Sequence, residues 1–196
     1  MTTLPQLVLA SASPYRARLL QRLGLPFEVA PANIDESTQP GESAMALALR
    51  LAEHKALSLS RHPASDPLII GSDQVAACDN RLLGKPGTKE RAIEQLTFCS
   101  GKHIVFFTGL ALCRPDQQHL ESCVVPIEVS LRRLTDTEIE RYVEREQPLD
   151  CAGSFKWESL GITLFRAING DDVTALEGLP LIELSRRLRH FGFQLP

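Results

Sequence analysis

No two of the five cysteines, Cys78, Cys99, Cys113, Cys123 and Cys151, form a CxxC pair, and their number is odd. A structural zinc site and a complete disulfide framework are therefore poor readings, and reduced cysteines serving as core fillers fit a reducing compartment. Nowhere do about 18 apolar residues run together, and the first residues show neither a basic segment nor an apolar stretch of signal length. The expectation is a soluble cytoplasmic protein with no membrane partner. Walker A and GxGxxG patterns are missing, which removes the P-loop and the dinucleotide fingerprint. There is no GxSxG elbow and no Ser-His-Asp order, and His54, His62, His103, His119 and His190 stand at no ligand spacing. Positive charge is not in excess either. The formal net charge is -3, so duplex nucleic acid is not an expected partner.

What is present is a globular composition, 43% hydrophobic and 23% charged over 196 residues. That supports one compact α/β domain over 1–196 and is too short for two ordinary ones. The chain carries no repeat and no low-complexity tract. Residues 7–10 are an unbroken apolar run, the mark of a strand covered on both faces. Ser13 suits an N-cap, Pro14 the first helical position, Leu19, Leu20 and Leu23 a buried stripe, and Gly24 the stop. A loop is expected to about residue 42, then a helix over 43–60 with Met45, Leu49, Ala52, Ala56 and Leu59 on one face and Lys55 at its margin.

The run PLIIGSDQVAAC reads as a buried strand interrupted at Gly71, Ser72, Asp73 and Gln74, with Asp79 and Asn80 turning it back toward RLLGKP. A helix over 88–99 and two long strands over 103–113 and 122–132 follow, Pro126 marking an edge or a bulge in the second. Thr135 to Glu138 form a capping box opening a helix through Glu146. A strand is expected near 161–166, and a last helix begins at Pro180 with Leu181, Leu184, Leu188 and Phe191 inward. Helices alternating with strands, around a central antiparallel pair, predict α/β with a mixed sheet.

Six stretches could carry chemistry. In LVLASASPYRARLL, Arg16 occupies the third helical position, where the helix dipole opposes a cation by roughly 0.3–1 kcal/mol. An anion between that arginine and the free backbone amides removes the penalty, so the junction has the parts of a phosphate site. A solvated arginine on an ordinarily capped helix is the other reading. Asp73, with apolar chain before and after it, is a metal ligand, a general base or a turn aspartate. Asp35 and Glu36 would add a second metal-binding carboxylate or simply belong to a loop surface. Lys55 and Lys85, the latter held in GKP, suit phosphate oxygens or stand solvated. In CAGSFKWESLG, Phe155 and Trp157 form an aromatic wall beside Lys156, or else belong to the core.

LVLASASPYRARLL, NIDES, RLAEHKA, LIIGSDQV, LGKP and CAGSF, in this order, resemble the motifs of the Maf family of nucleotide pyrophosphatases over nearly the whole chain. GSDQV and the lysine in CAGSFKWESLGITLF are similar to the YceF-type branch, associated with 7-methyl-GTP rather than dTTP or UTP. The resemblance implies a fold related to the inosine triphosphate pyrophosphatases: an elongated mixed sheet flanked by helices, and two lobes with a central cleft. It implies hydrolysis of a nucleoside triphosphate to the monophosphate and diphosphate, dependent on Mg2+ or Mn2+, and a homodimer. By motif position Asp73 matches the proton acceptor, and Tyr15, Gln74 and Lys156 match the positions that set base preference. Ser11, Arg16, Lys55 and Lys85 match phosphate contacts, and Glu36 with Asp73 the metal site. Tyr15 is a departure, since that branch often carries Trp there. Two other functions stay open: a house-cleaning pyrophosphatase for another non-canonical triphosphate such as ITP, and a nucleotide-binding regulator of septum formation without catalysis.

Overall fold

The computed structural model describes residues 4–64 and 66–196. In chain order the elements are β1 (Gln6–Leu9), α1 (Pro14–Gln21), β2 (Phe27–Val29), α2 (Ala44–Ser58), β3 (Pro67–Cys78), β4 (Arg81–Leu83) and α3 (Lys89–Cys99). After them come β5 (His103–Arg114), β6 (His119–Leu131), α4 (Asp136–Glu146), β7 (Phe165–Asn169) and α5 (Leu181–His190). The strands form one sheet in the order β2-β1-β3-β5-β6-β7, with β4 paired to β3. β1 runs parallel to β2 and β3, whereas β4 on β3 and β7 on β6 are antiparallel, so the sheet is mixed as expected.

The chain divides into two compact units. The first comprises the chain up to Gln74, Thr108–Val125 and Asp172–Pro196; the second comprises Val75–Phe107 and Pro126–Asp171. In the first unit the period of two along each strand sorts side chains between two layers. Leu7, Leu9, Leu68, Ile70, Leu110 and Leu112 pack with Leu19 and Leu20 of α1 and Leu184 and Leu188 of α5. Val8, Ala10, Ile69, Ala111 and Cys113 pack instead with Ala52 and Ala56 of α2. The apolar run at residues 7–10 is thus buried on both faces, as its composition predicts.

The face of α2 differs from the expectation. Met45 is exposed, and the buried positions are Leu47, Ala48, Leu51, Ala52, Lys55 and Ala56. Close backbone approach explains this rotation. A Cβ placed on Gly71 would lie 2.1 Å from the Ala52 carbonyl oxygen and 2.7 Å from the Ala56 nitrogen. One on Gly109 would lie 2.2 Å from the Ala48 carbonyl oxygen. Glycines on β3 and β5 thus meet an alanine row on α2, and the larger Met45 and Leu49 are displaced from the contact.

Other boundaries shift too. β2 falls inside the stretch expected to be loop, and residues 160–164 form a 3-10 turn, so the strand expected near 161–166 begins at Phe165. The capping box at Thr135 and Glu138 is present with both hydrogen bonds. Pro126 lies on β6 before its register with β7 begins at Glu128, a stretch that tolerates a residue without N–H. In the second unit Phe155 packs edge-on against Phe106 and Phe165, with ring centroids 5.4 and 4.8 Å away, which makes it a core residue rather than a wall.

On α5, Glu183 accepts from Arg186 at 2.6 and 2.9 Å and from the buried Arg187 at 2.7 Å. The Arg186 hydrogen bonds, against burial and helped by Arg187, hold the Glu183 carboxyl down at about 2 instead of 4.5. A depressed carboxyl contributes stability above its unfolded value and loses it as pH falls through the folded one. The melting temperature is therefore expected to drop between pH 4.5 and 2, with a shallower drop in Glu183→Gln and the two converging near pH 2. Thermal melts across that window check it.

Candidate active site

β1 pairs with β3 only as far as Ile70, so Gly71 to Gln74 run on past the end of β1, beside the start of α1. Ser13 caps α1 by accepting from the Arg16 backbone N–H at 3.4 Å, and its own N–H donates to Ser11 Oγ at 3.1 Å. The Arg16 side chain turns into the protein. Its Nε donates to the Gly178 carbonyl at 2.7 Å, one terminal nitrogen lies 3.5 Å from Ser11 Oγ, and the other lies 3.8 Å from Asp73 Oδ1. With 12% of its side chain exposed, Arg16 is not a solvated surface residue. Burial pushes the guanidinium below the ordinary arginine range, and Asp73 and Glu36 pull it back up. The unfavourable place of a cation in the first helical turn is thus offset by a carboxylate and a carbonyl from distant segments.

Strand alternation puts Asp73 on the same face as Ile69 and Gly71, toward α2. There Lys55 Nζ donates to Asp73 Oδ1 at 2.5 Å and lies 2.7 Å from Glu36 Oε1. Lys55, expected at the margin of the apolar face, is buried. It is the next residue on the row that carries Ala48 and Ala52, and the glycine contacts that draw α2 onto the sheet bring its ammonium to Asp73. Glu36 arrives on an irregular loop fixed from the same helix. Arg50 on α2 holds both oxygens of Glu42 at 2.6 and 2.8 Å and the Ser37 carbonyl at 2.9 Å. The Arg50 hydrogen bonds hold the Glu42 carboxyl at about 2. Both Glu36 and Asp35 are exposed, but where Glu36 reaches Lys55, Asp35 accepts from the Ser37 N–H at 2.9 Å in a local turn.

Ser72 and Gln74 alternate to the opposite face. Ser72 Oγ lies 2.7 Å from the Gly109 carbonyl oxygen and 2.8 Å from that of Gly178. Gln74 Nε2 donates to the Ala175 carbonyl at 2.6 Å and to Thr108 Oγ1 at 3.2 Å, while the Thr108 hydroxyl donates to Ala175 at 2.9 Å. Thr108, Ala175 and Gly178 belong to no motif the sequence reading used. Two act through their backbone carbonyls, which no side-chain pattern reveals.

Among the sequence-predicted residues, Ser11, Arg16, Glu36, Lys55 and Asp73 are brought into one connected cluster. Gln74 follows directly on β3, and Tyr15 sits beside Arg16 with the Arg18 guanidinium 5.1 Å from its ring centroid. Lys85 and Lys156 belong to the second unit. Lys85 is exposed after β4. Lys156 donates through its backbone N–H to Tyr142 Oη at 3.0 Å and from Nζ to the Glu146 carbonyl at 3.4 Å, with Asp150 at 3.9 Å. No group of three or more His, Cys, Asp or Glu residues suited to a metal ion is found among the described residues. The carboxylate share of a metal site would therefore be two residues, Glu36 and Asp73. None of the described helices is long and apolar enough to cross a membrane.

Two cations and two carboxylates thus gather beyond a parallel strand end on a mixed α/β sheet, with Arg16, Lys55 and Asp73 largely buried and Glu36 exposed. The family model for Maf-like protein matches residues 6–191, and the chain belongs to that family. It is 53% identical over 98% of its length to the 7-methyl-GTP pyrophosphatase of Pseudomonas aeruginosa, covering 100% of that protein. To the 7-methyl-GTP pyrophosphatase of Xanthomonas axonopodis pv. citri it is again 53% identical over 98% of this chain and 100% of that one. Among solved structures, the Staphylococcus aureus Ham1 protein superposes with a TM-score of 0.51 over 94% of this chain and 98% of that one. At 12% identity, that likeness concerns the fold alone.

Proposed function

We propose that this protein is a nucleoside triphosphate pyrophosphatase that hydrolyses 7-methyl-GTP to 7-methyl-GMP and diphosphate with a divalent cation. The observation that carries the reaction type is Lys55 clasped between Asp73 and Glu36, with Arg16 against the same Asp73 oxygen. The names of the relatives 53% identical to the chain support the choice of substrate.

In the reaction a water oxygen attacks the α-phosphorus, the bond from that phosphorus to the bridging oxygen breaks, and diphosphate leaves with the electron pair. The water must lose a proton. Asp73 Oδ1 is taken by Lys55, whereas Oδ2 has no partner among the described residues and is the oxygen open to accept it. Arg16 and Lys55 offset the charge that moves toward the leaving group. Because Arg16 Nε is committed to Gly178, its two terminal nitrogens are the edge offered to phosphate oxygens. The positive ring of 7-methylguanine gains a cation–π component on stacking against Tyr15.

The residues fit a divalent ion on electrostatic grounds. Arg16 and Lys55 are already balanced by Asp73 and Glu36, so a triphosphate brings negative charge that the cluster alone does not neutralise. Magnesium suits a site of one or two carboxylates completed by phosphate oxygens and water. Glu36 and Asp73 would hold it, and when bound it would draw charge from the phosphate oxygens and open the phosphorus to attack.

A panel of 7-methyl-GTP, GTP, dTTP, UTP and ITP, read by diphosphate release, tests the proposal. The expected result is a kcat/KM for 7-methyl-GTP about tenfold or more above the next substrate. Activity should disappear in EDTA and return with Mg2+ or Mn2+. A preference for ITP would replace the substrate, activity in EDTA would remove the ion, and no turnover of any triphosphate would leave a binding protein.

A further inference from the structure

Asp172 lies in no motif, yet its side chain is buried, with 2% of the residue exposed. Among the described residues no cation stands within ion-pair distance of it. A buried carboxylate without a cation must be stabilised by hydrogen-bond donors, and Asp172 has three. Oδ1 accepts from the Thr174 N–H at 3.1 Å and from the Thr174 hydroxyl at 2.5 Å, and Oδ2 accepts from the Ile182 N–H at 2.7 Å. Thr174 Oγ1 in turn accepts from the Leu181 N–H at 2.8 Å. Pro180, at the N-cap of α5, makes no side-chain cap. Asp172 therefore caps the 3-10 turn Val173–Glu177 and the start of α5 together, where both helical dipoles favour a negative charge.

The turn so held presents two carbonyls to the candidate active site. Ala175 O receives Gln74 Nε2 and the Thr108 hydroxyl, and Gly178 O receives Arg16 Nε and lies 2.8 Å from Ser72 Oγ. We infer that Asp172 is a positioning residue, which pins the turn after β7 so that its Ala175 and Gly178 carbonyls orient Gln74 and Arg16 for the substrate. The effect on turnover rests on the pyrophosphatase reading; the orientation itself does not. One consequence concerns the base. The Thr108 proton goes to Ala175, so Thr108 Oγ1 can only accept from Gln74, and both amide protons of Gln74 are spent. Gln74 then offers its Oε1, an acceptor, which suits a base that presents N–H donors, as the Watson–Crick edge of guanine does.

The test is Asp172→Asn. One oxygen still accepts from Thr174, but the new amide group meets the Ile182 N–H donor to donor. The first readout needs no substrate: solvent exchange of the Arg16 Nε–H, followed by 15N NMR at a temperature where the melting curve shows the variant folded. Exchange is expected to quicken about tenfold as the bond to Gly178 loosens. The second readout is kinetic, with KM for 7-methyl-GTP raised about tenfold and kcat within about threefold. A merely structural role would lower the melting temperature and leave both unchanged, which overturns the inference. Quickened exchange with unaltered KM overturns its link to the substrate. If Asp172→Asn does not fold, Thr174→Val, which removes the hydroxyl between Asp172 and α5, is read the same way. Should the wild type turn over no triphosphate, the function proposed above fails while the exchange measurement still decides the positioning role.

Discussion

Asp73→Asn is expected to lower kcat by roughly 10²–10⁴-fold, the range of a lost general base, without raising KM. The amide keeps the shape of the carboxylate, and its oxygen still accepts from Lys55, so the ion-pair geometry on α2 has a partner in the variant. What is lost is the proton acceptor, one negative charge and one of the two carboxylates that would hold the divalent ion, so the kinetics are taken at saturating Mg2+. Removing that charge leaves Lys55 and Arg16 facing Glu36 alone, and two under-neutralised cations hold a polyphosphate at least as firmly as before. Steady-state kinetics with titration calorimetry of the nucleotide separate the two effects. Hydrolysis at near the wild-type rate would take Asp73 out of the mechanism, and a KM raised along with a lost kcat would make it a binding group instead.

Gly71→Ala is expected to be the most damaging single methyl group in the first unit. The added Cβ would meet the Ala52 carbonyl oxygen at 2.1 Å and the Ala56 nitrogen at 2.7 Å, and both are backbone atoms that no rotamer change can move. Overpacking costs typically 1–3 kcal/mol and more where the backbone itself must shift. A loss of about 3 kcal/mol corresponds to a fall of roughly 6–12 °C in melting temperature for a chain of this size. The helix must also lift from β3, and Lys55 rides on it, so kcat/KM is expected to fall further than the stability loss alone accounts for. Gly84→Ala is the control. Its Cβ would meet nothing within 4 Å, and melting temperature and activity should stay close to wild type. Equal effects at the two glycines would show that the packing of α2 is not what delivers Lys55.

The parts of this protein legible in advance are those whose signal is local. Ser13 and Pro14 mark the start of α1, and Thr135 with Glu138 marks the start of α4, because a cap is made between residues three positions apart. The doubly buried β1 shows in four consecutive apolar residues. Arg16 and Asp73 stand out because each is costly where it sits unless something distant compensates. The compensation itself was not legible. Arg16 is balanced through Asp73 and through Gly178, 162 positions along the chain. The inward face of α2 departs from its apolar pattern, since Met45 and Leu49 are more apolar than the buried Ala48 and Ala52. The contact is decided by clearance between backbones, which rewards small residues over hydrophobic ones.

The sequence by itself determined that this chain is a mixed α/β protein, with a capped helix after a buried strand and an aspartate in the middle of another. Those are consequences of periodicity, propensity and the price of an unpaired charge, all felt within a few residues. Only the tertiary structure decided that Asp73 faces Lys55 while Ser72 and Gln74 face the Ala175 and Gly178 carbonyls, and that Asp172 holds those carbonyls in place. A strand sends neighbouring side chains to opposite layers, and the layer met by Asp73 comes from 18 positions away while that met by Ser72 and Gln74 comes from more than a hundred. No local pattern encodes that meeting.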